Sequence, residues 1–500
     1  MSLTRGILYN YFLTYEKKDY FTELINEALE KVLQFKESGR VLPFKGDSSD
    51  FYTLDEETDG MDCSNIVKRF NDEIVPKCSN FSNKGFMGFP DAGNSLAGLL
   101  GAFYADLLQQ NLINESICSP IATKMEIEVI KLLRKLVGYN ESNDISSVLD
   151  VSGIFTYGGT GSNTVAMMLA RENFNKNTMC RGINNPEKMR VIVPKNIGHY
   201  SIRSSLMWLG CGDNIIEVET NNFKYDLQEL RKTIIDNKGS VMAVVAYAGD
   251  SRTMSIDYLD KIASIVKELD SDIWLHLDAC HGFSLLFSEK HKKKLKGVEM
   301  WDSISCDPHK VLALPYCCSV LLIKNPKKFD MIITDSDLIM SEDLALGRIT
   351  PFIGSKSWVS LKLWFVIKNF GVKGLGKIID RRIELARYFE AKISGTEGFV
   401  VLNEVEINSV VFLYKGSFTE EKDINKINEL LYERIKEDGK YYFHQFVLHD
   451  DKGVINGYRC KVLRYMSGNN QLKEADIDEC VSYLKELARE VEKVIITHEK

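Results

Sequence analysis

From about residue 150 to 325 the chain repeats one pattern, a short apolar run followed by small or polar residues and then a helical stretch. Val191-Ile192-Val193-Pro194, Val241 to Tyr247 (VMAVVAY), Ile273 to Asp278 (IWLHLD), Ser303 to Cys306 and Cys318 to Ile323 are such runs. Short stretches of this kind, rich in branched residues, read as buried strands. Strands alternating with helices imply βα units and a mainly parallel sheet, which takes ligands at the carboxyl ends of its strands. His199, Ser251, Asp278 and Lys310 all fall just after an apolar run, so the periodicity puts four chemically capable side chains at one edge.

Two of them carry the argument. Asp278 ends an alternating run and is followed by the small residues Ala279 and Cys280 and then His281-Gly282, which reads as a strand delivering an acid to a cleft. Thirty-two residues later Lys310 follows Asp307-Pro308-His309, in a turn between two expected strands. A partly desolvated lysine can lose its proton near neutral pH and attack a carbonyl as a Schiff-base former. Pyridoxal phosphate needs such a lysine, and an acid on its pyridinium nitrogen to make the ring an electron sink. Spacing alone does not separate this pair from the many Asp/Lys pairs of a 500-residue chain. A second element is the turn Gly158-Gly159-Thr160-Gly161-Ser162-Asn163, which opens a helix. A helix N-terminus offers free N–H groups and a positive dipole end to phosphate, and the GK[ST] ending of a P-loop is absent.

HLDAC followed by SISCDPHK resembles the group II pyridoxal-phosphate decarboxylases, the family of aromatic amino-acid, glutamate, cysteine-sulfinate and diaminobutyrate decarboxylases. There the acid lies in H-(V/L)-D-A and the cofactor lysine in (N/D)-P-H-K, and the likeness runs in order over roughly residues 80–380. The resemblance implies a fold type I transferase-like architecture, with a large domain built on a mainly parallel seven-stranded sheet and a small C-terminal α+β domain. It implies that Lys310 holds pyridoxal phosphate, that Asp278 keeps its ring nitrogen protonated and that His199, from an H-x-S motif, stacks on the ring. By the same likeness Gly159, Thr160 and His309 hold the phosphate, Ser251 and Cys280 lie beside the cofactor, and Gly354-Ser355 reach the phosphate in a neighbouring subunit. Lys356 stands where the family's G-S-R has arginine, and Asp250 where it has threonine. The implied assembly is a homodimer with shared active sites, and the implied reaction is decarboxylation of an L-amino acid.

Bulk properties narrow the partners. A net charge of −7, with 44% hydrophobic and 27% charged residues, is ordinary for a globular protein and argues against a nucleic-acid surface. The basic run Lys290 to Lys296 reads as a solvated loop. No stretch approaches ~18 consecutive apolar residues, so no membrane span is expected. The eleven cysteines show no CxxC pair, which points to neither a zinc site nor a disulfide framework and leaves a cytoplasmic location with reduced thiols as the expectation.

Three parts are expected: residues 1–100 as a dimer-contact segment, 101–384 as the cofactor-binding domain and 385–500 as the small domain. In the loop FMGFPDAGNS, which resembles the family's substrate-pocket segment, Asp91 either favours a cationic side chain or caps the next helix. Phe103 reads as packing, and Arg464 either meets a carboxylate or makes a surface salt bridge. Residues 327–355 are polar and broken, as a mobile lid would be.

One departure bears on chemistry. Many members carry a lid tyrosine that protonates the substrate carbanion, yet no tyrosine lies between Tyr316 and Tyr388; Leu338-Ile339-Met340 occupy the nearest position. Another acid, such as His199, Tyr316 or a partner-chain residue, then has to deliver the proton. The alternatives are oxidative deamination to an aldehyde, carbon–carbon cleavage as in the phosphosphingosine lyases, and a cofactor-binding protein without catalysis.

Overall fold

The computed structural model describes residues 12–43, 60–140, 144–337, 340 and 343–498. Leu338, Ile339 and most of the polar segment after Lys45 lie outside the described residues. Helix α1 (Lys18–Lys36) buries no residue, and α2 (Leu96–Leu108) leaves Leu96, Leu99, Leu100, Tyr104 and Leu107 exposed. Phe103, read from the sequence as a packing residue, is 41% exposed and belongs to this apolar face. Helix α3 (Pro120–Val137) packs under the sheet that follows.

That sheet is made of β1 (Gly153–Thr156), β2 (Arg190–Pro194), β3 (Ile215–Val218), β6 (Val241–Tyr247), β7 (Trp274–Asp278), β8 (Ser303–Cys306) and β9 (Ser319–Ile323). A two-stranded hairpin, β4 (Thr220–Asn221) and β5 (Lys224–Tyr225), lies between β3 and β6 in the chain. The spatial order is β1-β9-β8-β7-β6-β2-β3. β9 pairs antiparallel with both neighbours, whereas β8, β7, β6, β2 and β3 are mutually parallel. β1 therefore runs in the same sense as β8, and six strands end at one edge. Every residue of β6 and of β7 is buried, as expected of strands covered on both faces. Helices α4 (Gly159–Phe174), α5 (Tyr200–Trp208) and the single turn α6 (Pro308–Val311) start at that edge.

Helix α7 (Ser360–Ser394) joins the two cores. Leu361, Leu363, Val366 and Ile379 pack into the large core, and Leu385, Ala386, Phe389 and Ile393 into the second. Gly371, at φ 64° and ψ 168°, breaks the helix in a region open essentially to glycine alone. The second core lies on a four-stranded antiparallel sheet, β10 (Phe399–Val401), β11 (Ser409–Tyr414), β13 (Arg459–Met466) and β12 (His444–His449), with α8 (Glu421–Asp438) and α9 (Glu474–His498). The architecture is the large parallel-sheet domain plus small α+β unit of fold type I. On either side of the centre of the stretch expected as a mobile lid the chain is anchored: Phe329, Ile332, Leu346 and Ile349 are buried, and Gly347 N–H donates to Ile113 O. The basic run is a short 3-10 turn with Leu295 buried, and Lys290, Lys292 and Lys296 pair with Glu384, Glu289 and Asp260.

Candidate active site

Five strand ends converge on a cleft of about 200 Å³. β1 leads through Gly158, at φ 99°, into Gly159 and Thr160 at the start of α4. β2 leads to His199, β6 to Gly249 and Ser251, β7 to Asp278, Cys280 and His281, and β8 to Asp307, His309 and Lys310; all of these line the cleft. The cleft therefore brings together eight of the ten residues singled out from the sequence. Gly354 and Ser355 are exposed and lie outside it; Ser355 lines a separate depression with Tyr157 and Lys356.

A chain of buried hydrogen bonds fixes the acid. Trp274 Nε1–H donates to Ser303 Oγ at 2.8 Å, and Ser303 Oγ lies 2.9 Å from His276 Nδ1. His276 Nε2 lies 3.0 Å from Asn163 Oδ1, which can only accept, so that nitrogen carries the proton and Nδ1 accepts from Ser303. Burial holds His276 neutral, pushing it down to about 4. So oriented, the Asn163 amide donates to Asp278 Oδ2 at 2.9 Å and to Ser201 Oγ at 2.8 Å. Cys280 N–H donates to Asp278 Oδ1 at 3.1 Å. Burial alone would raise the Asp278 carboxyl, but His199, these donors and Lys310 outweigh it and hold it below the ordinary aspartate range.

The same network sets the tautomer of His199. Ser201 N–H donates to His199 Nδ1 at 3.3 Å and Ser201 Oγ approaches it at 2.6 Å, so Nδ1 accepts and Nε2 carries the proton. Burial lowers the His199 pKa, against the pull of Asp278, and favours the neutral ring. The backbone N–H of His199 donates to Tyr247 Oη at 2.8 Å, which fixes the loop to β6.

Lys310 Nζ lies 2.8 Å from Asp307 Oδ2. Burial would lower its pKa, yet Asp307 and the other acids nearby raise it above the ordinary lysine value. Asp307 is itself buried and accepts from Ser319 Oγ. Gly159 makes room for this pair, because a Cβ there would fall 2.7 Å from Cys280 Sγ and 2.8 Å from Asp307 Oδ2. His309 Nδ1 lies 2.8 Å from Cys318 O, and Tyr316, 56% exposed, holds its ring 5.2 Å from that of His309.

Sequence reasoning missed Asn163, Tyr247, His281 and Asp307 as site residues. Asn163 and Asp307 stood inside the motifs already quoted, and the signal was their side-chain type next to a glycine turn and a lysine; Tyr247 carried only the signal of a strand end. Two other expectations are corrected. Arg464 is buried and makes no surface salt bridge: its guanidinium donates to Ser251 O and, at 3.2 Å, to Gly88 O, and burial lowers it to about 10. Asp91 does not cap α2, because Ser95 Oγ accepts from Gly98 N–H at 3.0 Å. Asp250 turns into its own loop, accepting from the N–H groups of Arg252, Thr253 and Ser255 at 2.8–2.9 Å, and so shapes the turn that carries Ser251.

These residues suit pyridoxal phosphate. A lysine and an ionised acid share one cleft, the N-terminus of a sixteen-residue helix opens into it beside a glycine with no space for a side chain, and the buried Nδ1 of His281 has no partner among the described residues. Such an edge of a fold type I sheet defines a class of lysine-anchored cofactor enzymes. Residues 52–415 match the profile of the pyridoxal-dependent decarboxylase conserved domain, and the chain belongs to that family. It is 27% identical to the aromatic-L-amino-acid decarboxylase of Bacillus atrophaeus, over 76% of this chain and 78% of that one. It is 32% identical to the L-2,4-diaminobutyrate decarboxylase of Acinetobacter baumannii over 59% and 60% of the two chains. The crystal structure of mouse CSAD superposes with a TM-score of 0.82 at 25% identity, covering 94% of this chain and 99% of that one. Pyridoxal phosphate is the cofactor, and the reaction is decarboxylation of an amino acid to the amine and carbon dioxide.

Proposed function

We propose that Lys310 would anchor the cofactor, that Asp278, ionised, would keep its ring nitrogen protonated and that His199 would stack on the ring and move a proton. Gly159, Thr160 and His309 hold the phosphate, with Ser251 and Cys280 beside the ring. The observation that supports this reading is the convergence of Lys310, Asp278 and His199 on one cleft, with the acid held ionised by Asn163 and the Cys280 N–H.

Pyridoxal phosphate, when bound, supplies an electron sink that accepts the bonding pair left when carbon dioxide departs. The chain's residues set the conditions for this. Asp278, locked by the relay that runs back to Trp274, keeps a negative charge where the sink needs a proton held. Asp307 holds the Lys310 ammonium in place until the amine is required, and as the nearest carboxylate it is the group that can take the proton. His199 presents Nε2–H to the cleft because Ser201 engages Nδ1, and once it has taken up a second proton at Nδ1 it can give the Nε2 proton to the carbon that lost its carboxylate and return to the neutral ring. With no tyrosine between Tyr316 and Tyr388, we assign that step to His199, with Tyr316, whose ring lies 5.2 Å from that of His309, as the other candidate.

The working form in this reading is a cytoplasmic homodimer. The exposed apolar face of α2 and the cleft it lines with Ile25, Leu29 and Leu33 of α1 suit burial by a second copy, and Gly354-Ser355, exposed outside their own cleft, would face the neighbouring one. The division at residues 100 and 384 is part of the same proposal. The test is to load the purified protein with cofactor, offer it a panel of amino acids and follow carbon dioxide, amine and oxygen together. Carbon dioxide with amine and no oxygen uptake is expected, and Lys310→Ala should lose both turnover and the visible absorbance of the bound cofactor. Turnover by a colourless Lys310→Ala protein, or oxygen uptake matching carbon dioxide release, would refute it.

A further inference from the structure

We infer that the Tyr247 hydroxyl binds the cofactor, giving its proton to the phenolic oxygen of pyridoxal phosphate; this rests on the Lys310 reading above and deepens it.

Tyr247 is the last residue of β6, and its backbone is fixed on both sides. Its N–H donates to Asp257 Oδ2 at 2.9 Å, its carbonyl accepts from Asp257 N–H at 2.9 Å, and across the sheet it stands in register with Asp278. The residue is only 2% exposed, yet it lines the cleft with Lys310, Asp278 and His199. His199 N–H donates to its oxygen at 2.8 Å, which satisfies the hydroxyl as an acceptor and leaves its proton to be placed. Among the described residues no atom accepts that proton. Asp278 is close enough for its charge to be felt, but its oxygens are engaged elsewhere, Oδ2 by the Asn163 amide and Oδ1 by Cys280 N–H. Burial first, and then the Asp278 charge, push the Tyr247 phenol up, so the proton stays on the oxygen across the working pH range.

A buried donor without an acceptor costs free energy, and beside a ligand cleft the ligand can remove that cost. Pyridoxal phosphate brings a phosphate, an aldehyde, a ring nitrogen and a phenolic oxygen. In the reading above the phosphate goes to Gly159, Thr160 and His309, the aldehyde carbon to Lys310, and the ring nitrogen carries a proton facing Asp278. The phenolic oxygen is the acceptor that remains, and when ionised it is a stronger one than any neutral oxygen. Other donors near Asp278 are spent, the Asn163 amide on Asp278 and Ser201 and the Cys280 N–H on Asp278. Ser251, also a hydroxyl at the end of β6, is half-buried and can serve water, whereas Tyr247 has no such outlet. A donor on the phenolic oxygen draws its charge away from the proton on the neighbouring lysine-derived nitrogen, so that proton leaves at lower pH.

The experiment titrates cofactor-free wild type and Tyr247→Phe with pyridoxal phosphate and with its 3-deoxy analogue, which lacks only the phenolic oxygen. Binding is read by equilibrium dialysis, and the loaded proteins are scanned against pH at visible wavelengths. Tyr247→Phe should bind pyridoxal phosphate about 10- to 100-fold more weakly than wild type does, and the analogue within about twofold of wild type. The pH midpoint of the visible change should rise by about one unit. Equal losses with both compounds would make Tyr247 a support for the His199 loop alone and overturn the inference, as would unchanged binding of pyridoxal phosphate. Should Tyr247→Phe fail to fold, 3-fluorotyrosine inserted at position 247 keeps the acceptor for His199 N–H and makes a stronger donor. The midpoint should then fall, and an unmoved midpoint would overturn the inference. Wild type that binds neither compound would overturn the Lys310 reading and this one with it.

Discussion

Replacing Gly159 with alanine tests the packing on which the cofactor reading depends. The new methyl group would lie 2.7 Å from Cys280 Sγ and 2.8 and 3.1 Å from the two Asp307 oxygens, below or at the limit of real carbon contacts. None of these atoms is at the free end of a flexible chain: Asp307 is held by Lys310 and Ser319, and Cys280 is buried beside Ser305. Forcing a methyl into a packed site costs about 1–3 kcal/mol, and the loss of glycine from a helix start returns at most about 1 kcal/mol. The expected net destabilisation of the cofactor-free protein is about 1–2 kcal/mol. The same displacement moves the turn proposed to hold phosphate, so cofactor affinity should fall about 10- to 100-fold. Urea unfolding of the cofactor-free protein and a cofactor titration at visible wavelengths measure the two effects. Cys280→Ala removes the nearer obstacle, so Gly159→Ala should cost about 0.5–1 kcal/mol less in that background. A variant with unchanged unfolding and with cofactor affinity within twofold of wild type would refute the reasoning.

Two further perturbations test groups away from the ring. Lys356 pairs with Glu126 at 2.9 Å with both side chains almost fully buried, so Lys356→Ala strands a carboxylate and should cost about 3–5 kcal/mol, while replacing both by apolar residues of similar size should cost far less; equal urea midpoints for the single and double variants would contradict this. Asp257 accepts from the N–H groups of Tyr225 and Tyr247, yet burial raises its pKa from 3.8 to about 7. The folded state therefore holds this proton to higher pH than the unfolded one, so the stabilisation is complete below about pH 4 and is lost as pH rises through 7. Between pH 5 and 7.5 the stability difference between wild type and Asp257→Asn should move by about 2–3 kcal/mol in favour of the variant, as read from urea midpoints, and a pH-independent difference would contradict the assignment.

Strand periodicity carried most of the large domain, because β6 and β7 are buried along their whole length and leave an unmistakable apolar run. It could not reveal that β9 runs against its neighbours, since alternation is blind to direction. In the site, the residues that sit in short motifs were legible and their supports were not. His276 acts on Asp278 through Asn163, 113 residues away, and is itself set by Ser303, 27 residues away, and nothing local marks a histidine in a buried strand as part of a relay. Arg464 was misread for the opposite reason: arginine suggests a carboxylate or a surface, whereas here its Nη1 and Nη2 donate to two backbone carbonyls inside the protein. Asp91 is the reverse case, a capping residue by type and position that Ser95, four residues on, makes unnecessary.

Helix α7 belongs to both hydrophobic cores, and residue 384 lies between Ile383 of the first and Leu385 of the second. Cutting the chain there would leave each half of the helix on its own core but would break the helical hydrogen bonds that cross the cut and part Arg382 from its partner Asn470 Oδ1. The large and small units are thus separate in shape but not in folding. Heat should melt them in one cooperative step, and neither should be recoverable as an independently produced piece.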